Sequence, residues 1–138
     1  MANRSDRRTG DSLCPCGLGI PYAACCGALH DGTKQAVTAE QLMRSRYSAF
    51  VVEDAPYLLR TWSAKTRPRT LRFEAGLRWT GLEILGTEGG SAFHTEGTVE
   101  FCASYAGGDQ HENSYFTREN GLWVYVEPTT AGTRADRR

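Results

Sequence analysis

The sequence predicts an α+β fold, with helices lying on one face of a curved antiparallel sheet and a small cysteine-rich appendage ahead of them. Three observations carry this. Between Thr38 and Trp62 apolar residues recur at three- and four-residue steps, from Trp79 onward they alternate between turn signals, and four of the five cysteines fall within thirteen residues, Cys14 to Cys26. Helices first and hairpin-linked strands afterwards, without βα alternation, call for an antiparallel sheet with the helices segregated to one side.

The 138 residues suffice for one core of ordinary size plus an appendage held by something other than hydrophobic burial. Hydrophobic residues at 40% and charged residues at 23% match a globular chain. No apolar run approaches the roughly 20 residues needed to cross a bilayer, so no membrane association is expected. The opening Met-Ala-Asn-Arg-Ser-Asp-Arg-Arg lacks the apolar centre of a secretory signal, which predicts a cytoplasmic protein. In that reducing compartment clustered cysteines are metal ligands before they are disulfides.

Net charge is zero but unevenly spread. Residues 44–78 carry eight Arg or Lys against Glu53, Asp54 and Glu74, a net of +5, whereas residues 79–128 carry eight carboxylates against Arg118, a net of −7. The first reading is that the halves complement each other within the fold or across a homodimer; a basic face for nucleic acid is the second.

Taken in order, residues 1–12 are polar and aperiodic, a disordered lead. Residues 13–30 hold the cysteine module, and Gly27 to Val37 connect it to the main domain, which spans 36–128. Thr38-Ala39-Glu40-Gln41 is a capping box that starts a helix, with Met43, Tyr47, Phe50 and Val51 on one face. Asp54-Ala55-Pro56 caps a second helix through Tyr57, Leu58 and Trp62. Thr70 to Gly76 is expected to form a third, short helix beyond Pro68. Trp79 to Leu85 reads as a strand ended by Glu88-Gly89-Gly90. A long alternating run follows, with Phe93, Thr95, Gly97, Val99, Phe101, Ala103 and Tyr105 on the buried face and a bend expected at Gly97, where a side chain is missing. Gln110 to Arg118 and Leu122 to Glu127 supply two more strands joined through Asn120-Gly121, a pair suited to a tight primed turn. The tail, 129–138, is expected to be flexible.

Cys14-Pro15-Cys16, an eight-residue spacer and Cys25-Cys26 give the C-x-C-x8-C-C spacing of a zinc knuckle. Zinc in a structural site takes four ligands in a tetrahedron, and thiolates satisfy it at about 2.3 Å. Gly19 permits the bend and Pro21 suits a helix start. Adjacent residues on a helix point about 100° apart, so Cys25 and Cys26 reach one metal only if the helix breaks there, and Gly27 is expected to be its C-cap. Cys14, Cys16, Cys25 and Cys26 are the expected ligands, with His30 as an alternative fourth. Four thiolates close the coordination shell, which makes the site structural and leaves no position for catalytic water.

The spacing resembles the SEC-C motif, a zinc module found at the carboxyl end of the secretion ATPase SecA and in other bacterial proteins. Leu42-Met43-Arg44-Ser45-Arg46-Tyr47-Ser48-Ala49-Phe50-Val51 is similar to the signature helix of the bacterial YchJ family, also called UPF0225. The run Asp54, Tyr57, Leu58, Thr61, Trp62 and the closing Glu119-Asn120-Gly121-Leu122-Trp123-Val124-Tyr125 extend the resemblance over residues 14–128. It implies an NTF2-like domain, a cone of helices against a bent sheet. Many members of the family carry a second SEC-C motif at the carboxyl end; this sequence has no cysteine after Cys102, so a function needing two knuckles is not expected. SEC-C modules in SecA engage a chaperone and the ribosome, which implies a protein or ribonucleoprotein partner here.

Arg44, Arg46, Tyr47, Asp54, Tyr57 and Trp62 form a candidate pocket set, in which Arg46 either pairs with Asp54 as a buttress or holds an anion. His94, Glu96 and Glu100 share a strand face that reads first as solvated surface and second as a proton-transfer group. Cys102 reads as a small buried filler. No phosphate loop, dinucleotide fingerprint or Ser-His-Asp arrangement is visible. The expected function is that of a small zinc-binding protein whose knuckle contacts a macromolecule, not an enzyme by default; the alternative is an NTF2-like enzyme or small-ligand binder using the Arg/Tyr/Asp/Trp pocket.

Overall fold

A computed structural model describes residues 12–129. The expected lead over 1–12 and tail over 129–138 therefore lie, apart from Ser12 and Thr129, outside the described residues. A 3-10 turn, Tyr22–Ala24, precedes helices α1 (Cys26–His30), α2 (Ala39–Val52) and α3 (Ala55–Arg60). Strands β1 (Trp79–Gly89), β2 (Glu96–Tyr105), β3 (Gly108–Glu119) and β4 (Leu122–Pro128) follow, paired antiparallel in the order β1-β2-β3-β4. No helix among the described residues is long and apolar enough to cross a membrane.

The caps form where the sequence places them. Thr38 Oγ1 accepts from Gln41 N at 3.1 Å, while the Gln41 side chain reaches one residue further back than a standard box and accepts from Val37 N at 2.7 Å. Glu53, at φ 58, ends α2 in the left-handed region, and Asp54 then caps α3 by accepting from Tyr57 N. At the other end of the domain, Asn120 and Gly121 both have positive φ, as a primed hairpin turn requires.

The alternation in β2 puts Val99, Phe101 and Ala103 in the core, against Leu42, Met43, Tyr47 and Ala49 of α2 and Leu58 of α3. Phe116 and Trp123 close the core from β3 and β4, and Leu29 of α1 belongs to it as well. The knuckle cysteines form a second cluster with Tyr22, and Leu29 at the end of α1 joins that cluster's helix to the main core.

Three expectations are corrected. Thr70 to Gly76 is irregular: Leu71 and Phe73, two residues apart, both pack on the core, a spacing that suits extended chain better than one turn of helix. The strand begins at Glu96 and its buried face at Gly97, not Phe93, because Ser91 turns the chain back: it receives the amide of Phe93 on its hydroxyl and that of His94 on its carbonyl, leaving Phe93 95% exposed. At Gly97, where a bend is expected, the chain crosses close to Gly90 and no register shift falls. A Cβ there would lie 2.4 Å from Gly90 N, while the extra residues lie in β1, between Trp79 and Gly81 and between Ile84 and Gly86, and in β4, at Val126 opposite the step from Tyr115 to Phe116.

Candidate metal centre

The C-x-C end of the knuckle is a tight loop closed by Cys14 N donating to Ile20 O at 2.9 Å, with Gly17 and Gly19 supplying its two positive φ angles. The returning chain forms the 3-10 turn from Pro21. It breaks at Cys25, whose φ and ψ are −124° and −116°, and α1 restarts at Cys26. That break lets two adjacent cysteines face one point. Gly27 is not a C-cap but an interior residue of α1, where a Cβ would meet Tyr22 O at 2.7 Å; its role is close packing of the turn on the helix.

The four sulfurs lie within 4.8 Å of one another, and Cys16 Sγ and Cys25 Sγ are 3.7 Å apart. Bond lengths of about 2.3 Å in a zinc-thiolate tetrahedron imply an edge of about 3.8 Å. Cys14, Cys16 and Cys26 are buried, Cys25 half-buried. Hydrogen bonds from Cys16 and Cys26 hold the Cys14 thiol far below its ordinary range. Burial, followed by the Cys14 charge, pushes Cys25 up to about 12, and the bond to Cys14 drives Cys26 further up. Thiols this close resist ionising together, and a dication is what removes that penalty. The donor set fits a soft, tetrahedral metal, with no oxygen ligand among the four.

His30 is not a ligand. Its Nε2–H donates to Ser45 O at 2.8 Å, so Nδ1 accepts from the Tyr22 hydroxyl at 2.6 Å, which fixes the tautomer. Burial lowers its pKa and keeps it neutral, although Asp54 Oδ2 stands 4.0 Å away. Around the centre, Ser48 Oγ lies 3.5 Å from Cys14 Sγ, Arg44 Nη1 donates to Cys16 O at 2.8 Å, and Arg60 donates to the carbonyls of Leu29 and His30. Sequence reading missed Ser48, Ser45 and Arg60; the i, i+4 spacing of Arg44 and Ser48 was the available signal.

The six candidate pocket residues do not converge. Arg44 faces the knuckle. Arg46 is 4% exposed, donates to Leu58 O and Thr61 Oγ1, and is flanked by the rings of Trp62 and Tyr125 at 5.0 and 4.7 Å; Asp54, its expected partner, caps α3 and faces His30 instead. Burial lowers the Arg46 pKa to about 10, which leaves it charged at neutral pH. Tyr47 meets Trp79 edge-on in the core, and Tyr57 bonds Ser45 Oγ at 2.6 Å. A cleft of about 400 Å³ runs along the knuckle past Leu18, Ile20, Leu29, Lys34 and Arg44, and another of about 250 Å³ lies beside Tyr57, Arg60, Arg67 and Trp123. Arg46, Tyr47, Asp54 and Trp62 line neither.

The strand-face group also separates. His94 sits in the loop against Ser91, Glu96 accepts from the Tyr115 hydroxyl, and Glu100 pairs with His111 at 2.7 Å, each with substantial exposure, in line with solvated surface. Cys102 is half-buried on the outer face between Glu83 and His111, not a core filler, because it alternates with the inward Phe101 and Ala103.

Comparison with known proteins agrees with this architecture. Residues 38–128 match the family model for the YchJ middle NTF2-like domain, and residues 12–28 match the SEC-C motif. A UPF0225 protein of Streptomyces coelicolor is 61% identical over 114 residues, covering 83% of this chain and 92% of that one. One from Corynebacterium glutamicum is 49% identical over 81% of this chain and 92% of its own length. Among solved structures, a SEC-C motif containing protein from Rhodopseudomonas palustris aligns with a TM-score of 0.71 at 32% identity, covering 86% of this chain and 98% of its own. Another from Psychrobacter arcticus aligns with a TM-score of 0.70 at 30% identity, over 87% and 83%. With its amino-terminal SEC-C motif and the NTF2-like domain that follows, the chain belongs to the UPF0225, or YchJ, family.

Proposed function

We propose that the protein is a cytoplasmic zinc-binding adaptor: Cys14, Cys16, Cys25 and Cys26 hold one Zn²⁺, which fixes the knuckle as a docking surface for a protein partner, alone or within a ribonucleoprotein. The observation that carries this is the contrast between the two sides of the knuckle. Its thiols are turned inward and largely buried, while Leu13, Leu18 and Ile20 are 61%, 50% and 39% exposed. When bound, the metal supplies rigidity alone, since four thiolates leave no open position for a Lewis-acid step. The loop then holds its apolar residues outward at low entropic cost to association.

The exposed apolar residues of the knuckle favour protein over nucleic acid as the direct contact. Of the +5 segment, Arg44, Arg46 and Arg60 donate to the chain's own carbonyl groups, whereas Lys65, Arg67, Arg69, Arg72 and Arg78 are exposed and make nucleic acid the competing outcome of the test. Metal analysis should give one zinc per chain, and Cys14→Ser should abolish it. Co-sedimentation with purified ribosomes, read for the zinc-loaded chain and for Leu18→Glu, tests the contact: loss in the variant, with binding that survives moderate salt, supports a protein contact. Steep salt dependence with no effect of Leu18→Glu would point to RNA, and no association of either chain would refute the ribonucleoprotein reading.

One observation favours a ligand-binding domain as the second reading. Trp62 Nε1 is buried without a hydrogen-bond partner beside the buried Arg46 guanidinium. A small anion that raises the melting temperature of the wild type but not of Arg46→Met would establish it.

A further inference from the structure

The signature helix carries side chains that neither the core nor the pocket reading absorbs. Arg44 and Ser48 lie one turn apart on α2, on the face turned away from the sheet. We infer that these two residues are the outer shell of the metal centre, holding the Cys14–Cys16 ligand loop and tuning its sulfurs. The inference rests on the zinc reading above and deepens it.

Ser48 is fully buried, and its hydroxyl lies 3.5 Å from Cys14 Sγ. Against a metal-bound thiolate, which has no proton to give, Ser48 is the donor. A hydroxyl aimed at a thiolate draws electron density from the sulfur and stabilises its anionic form. Arg44 works on the next ligand. Its Nη1 donates to Cys16 O at 2.8 Å, and its Nε is held by Glu40 at 3.0 Å, so the guanidinium is oriented before the knuckle closes on it. Four thiolates around a dication leave a net charge of −2, and the Arg44 cation stands beside that charge, partly offset by Glu40.

The other cysteine pair has a separate anchor. His30 bonds Ser45 O, and Arg60 bonds the carbonyls of Leu29 and His30 at the end of α1. The two ends of the site are thus tied to α2 and α3 through different residues, and of these ties it is the Ser48 hydroxyl that touches a ligand sulfur. Ser45 is the natural comparison: equally buried and three residues away, it bonds Leu42 O and Tyr57 instead of the metal site.

The test uses the full chain with Co²⁺ in place of zinc, reading the sulfur-to-cobalt charge-transfer band and the affinity by chelator competition. Ser48→Ala should move the band to lower energy, because the Cys14 sulfur becomes a stronger electron donor, and should weaken metal binding by about tenfold, the lower end of the range for outer-shell partners. Arg44→Gln should weaken binding by a similar factor with little movement of the band. Ser45→Ala should lower thermal stability and leave the band in place. An unmoved band and an affinity within twofold of wild type in Ser48→Ala would overturn the outer-shell role while leaving the metal centre intact; a wild-type chain that takes up no metal would overturn the zinc reading itself. Should Ser48→Ala fail to fold, Arg44→Gln decides by affinity alone, and wild-type affinity there overturns the inference.

Discussion

Stripping the metal should lower the melting temperature of the whole protein, not only that of the knuckle. The structure ties the two together at several points: Leu29 lies in the main core, His30 bonds Ser45 O, Arg60 caps α1, and Ser48 and Arg44 hold the C-x-C loop. Metal at 100 times its dissociation constant stabilises the state that binds it by about 2.7 kcal/mol. For a cooperative unit of this size, with about 4 °C per kcal/mol, that corresponds to a fall of roughly 10 °C on chelation. The assay is tryptophan fluorescence against temperature, with and without a chelator, because Trp62, Trp79 and Trp123 all lie outside the knuckle and report on the helices and sheet. The same midpoint should appear in far-ultraviolet circular dichroism. A tryptophan midpoint that moves by less than about 2 °C, with the knuckle melting in a separate earlier step, would refute the coupling.

Two further outcomes follow from single residues. Gly97→Ala places a Cβ 2.4 and 2.5 Å from backbone atoms of Gly90, whose carbonyl in turn accepts from Ala39 N at the start of α2. Neither strand can yield without moving that helix end, so the cost should reach or exceed the roughly 1–3 kcal/mol usual for overpacking; a urea midpoint equal to wild type would contradict the crossing, and Gly86→Ala, with open space around it, is the control. His30 sets a pH dependence. Burial depresses its folded pKa below the ordinary 6.5, so the unfolded chain binds the extra proton; its contribution is complete above about pH 6.5 and is lost as the pH falls below it. The slope of stability between pH 7 and pH 5.5 should therefore be shallower in His30→Gln than in the wild type, with metal ligands common to both, and equal slopes would rule out a neutral buried His30.

What the sequence made legible is what depends on short-range rules. Thr38 and Asp54 cap helices because their side chains reach amides three residues on, Asn120-Gly121 turns because both residues tolerate positive φ, and the β2 alternation survives because its inner face is buried along its length. The four cysteines converge because ligand spacing is itself local. The misreadings come from contacts between elements, which spacing within one element does not show. Gly27 is needed for its distance to Tyr22, not for its φ, and Gly97 for its distance to Gly90 across the hairpin. Leu71 and Phe73 bury themselves without a helix because the core end near Phe50 and Trp79 accepts an extended segment. Sequence reading pairs Arg46 with Asp54 or with an anion, whereas carbonyl and hydroxyl oxygens of α3 and its C-cap and the rings of Trp62 and Tyr125 receive it.

Helix α2 explains why its sequence looks so weakly amphipathic. Eight of its fourteen residues are buried, among them Ser45, Arg46 and Ser48, which an ordinary surface helix would expose. At 100° per residue, Leu42, Met43, Arg46, Tyr47, Ala49 and Phe50 fall on one arc, and Gln41, Arg44, Ser45 and Ser48 on the opposite one. The first arc packs on the sheet and α3. The second faces the knuckle and the start of α1, where small hydroxyl side chains let the ligand loop approach closely and give its sulfur and the buried Tyr57 hydroxyl a partner. A helix sandwiched between a hydrophobic core and a metal loop needs apolar bulk on one side and compact polar groups on the other, so the usual contrast of apolar against charged is blurred. On this view Arg44 and Ser48 of the signature helix belong to the metal loop, Ser45 and the large residues to the domain, and the helix is the part through which loss of the metal is felt in the sheet.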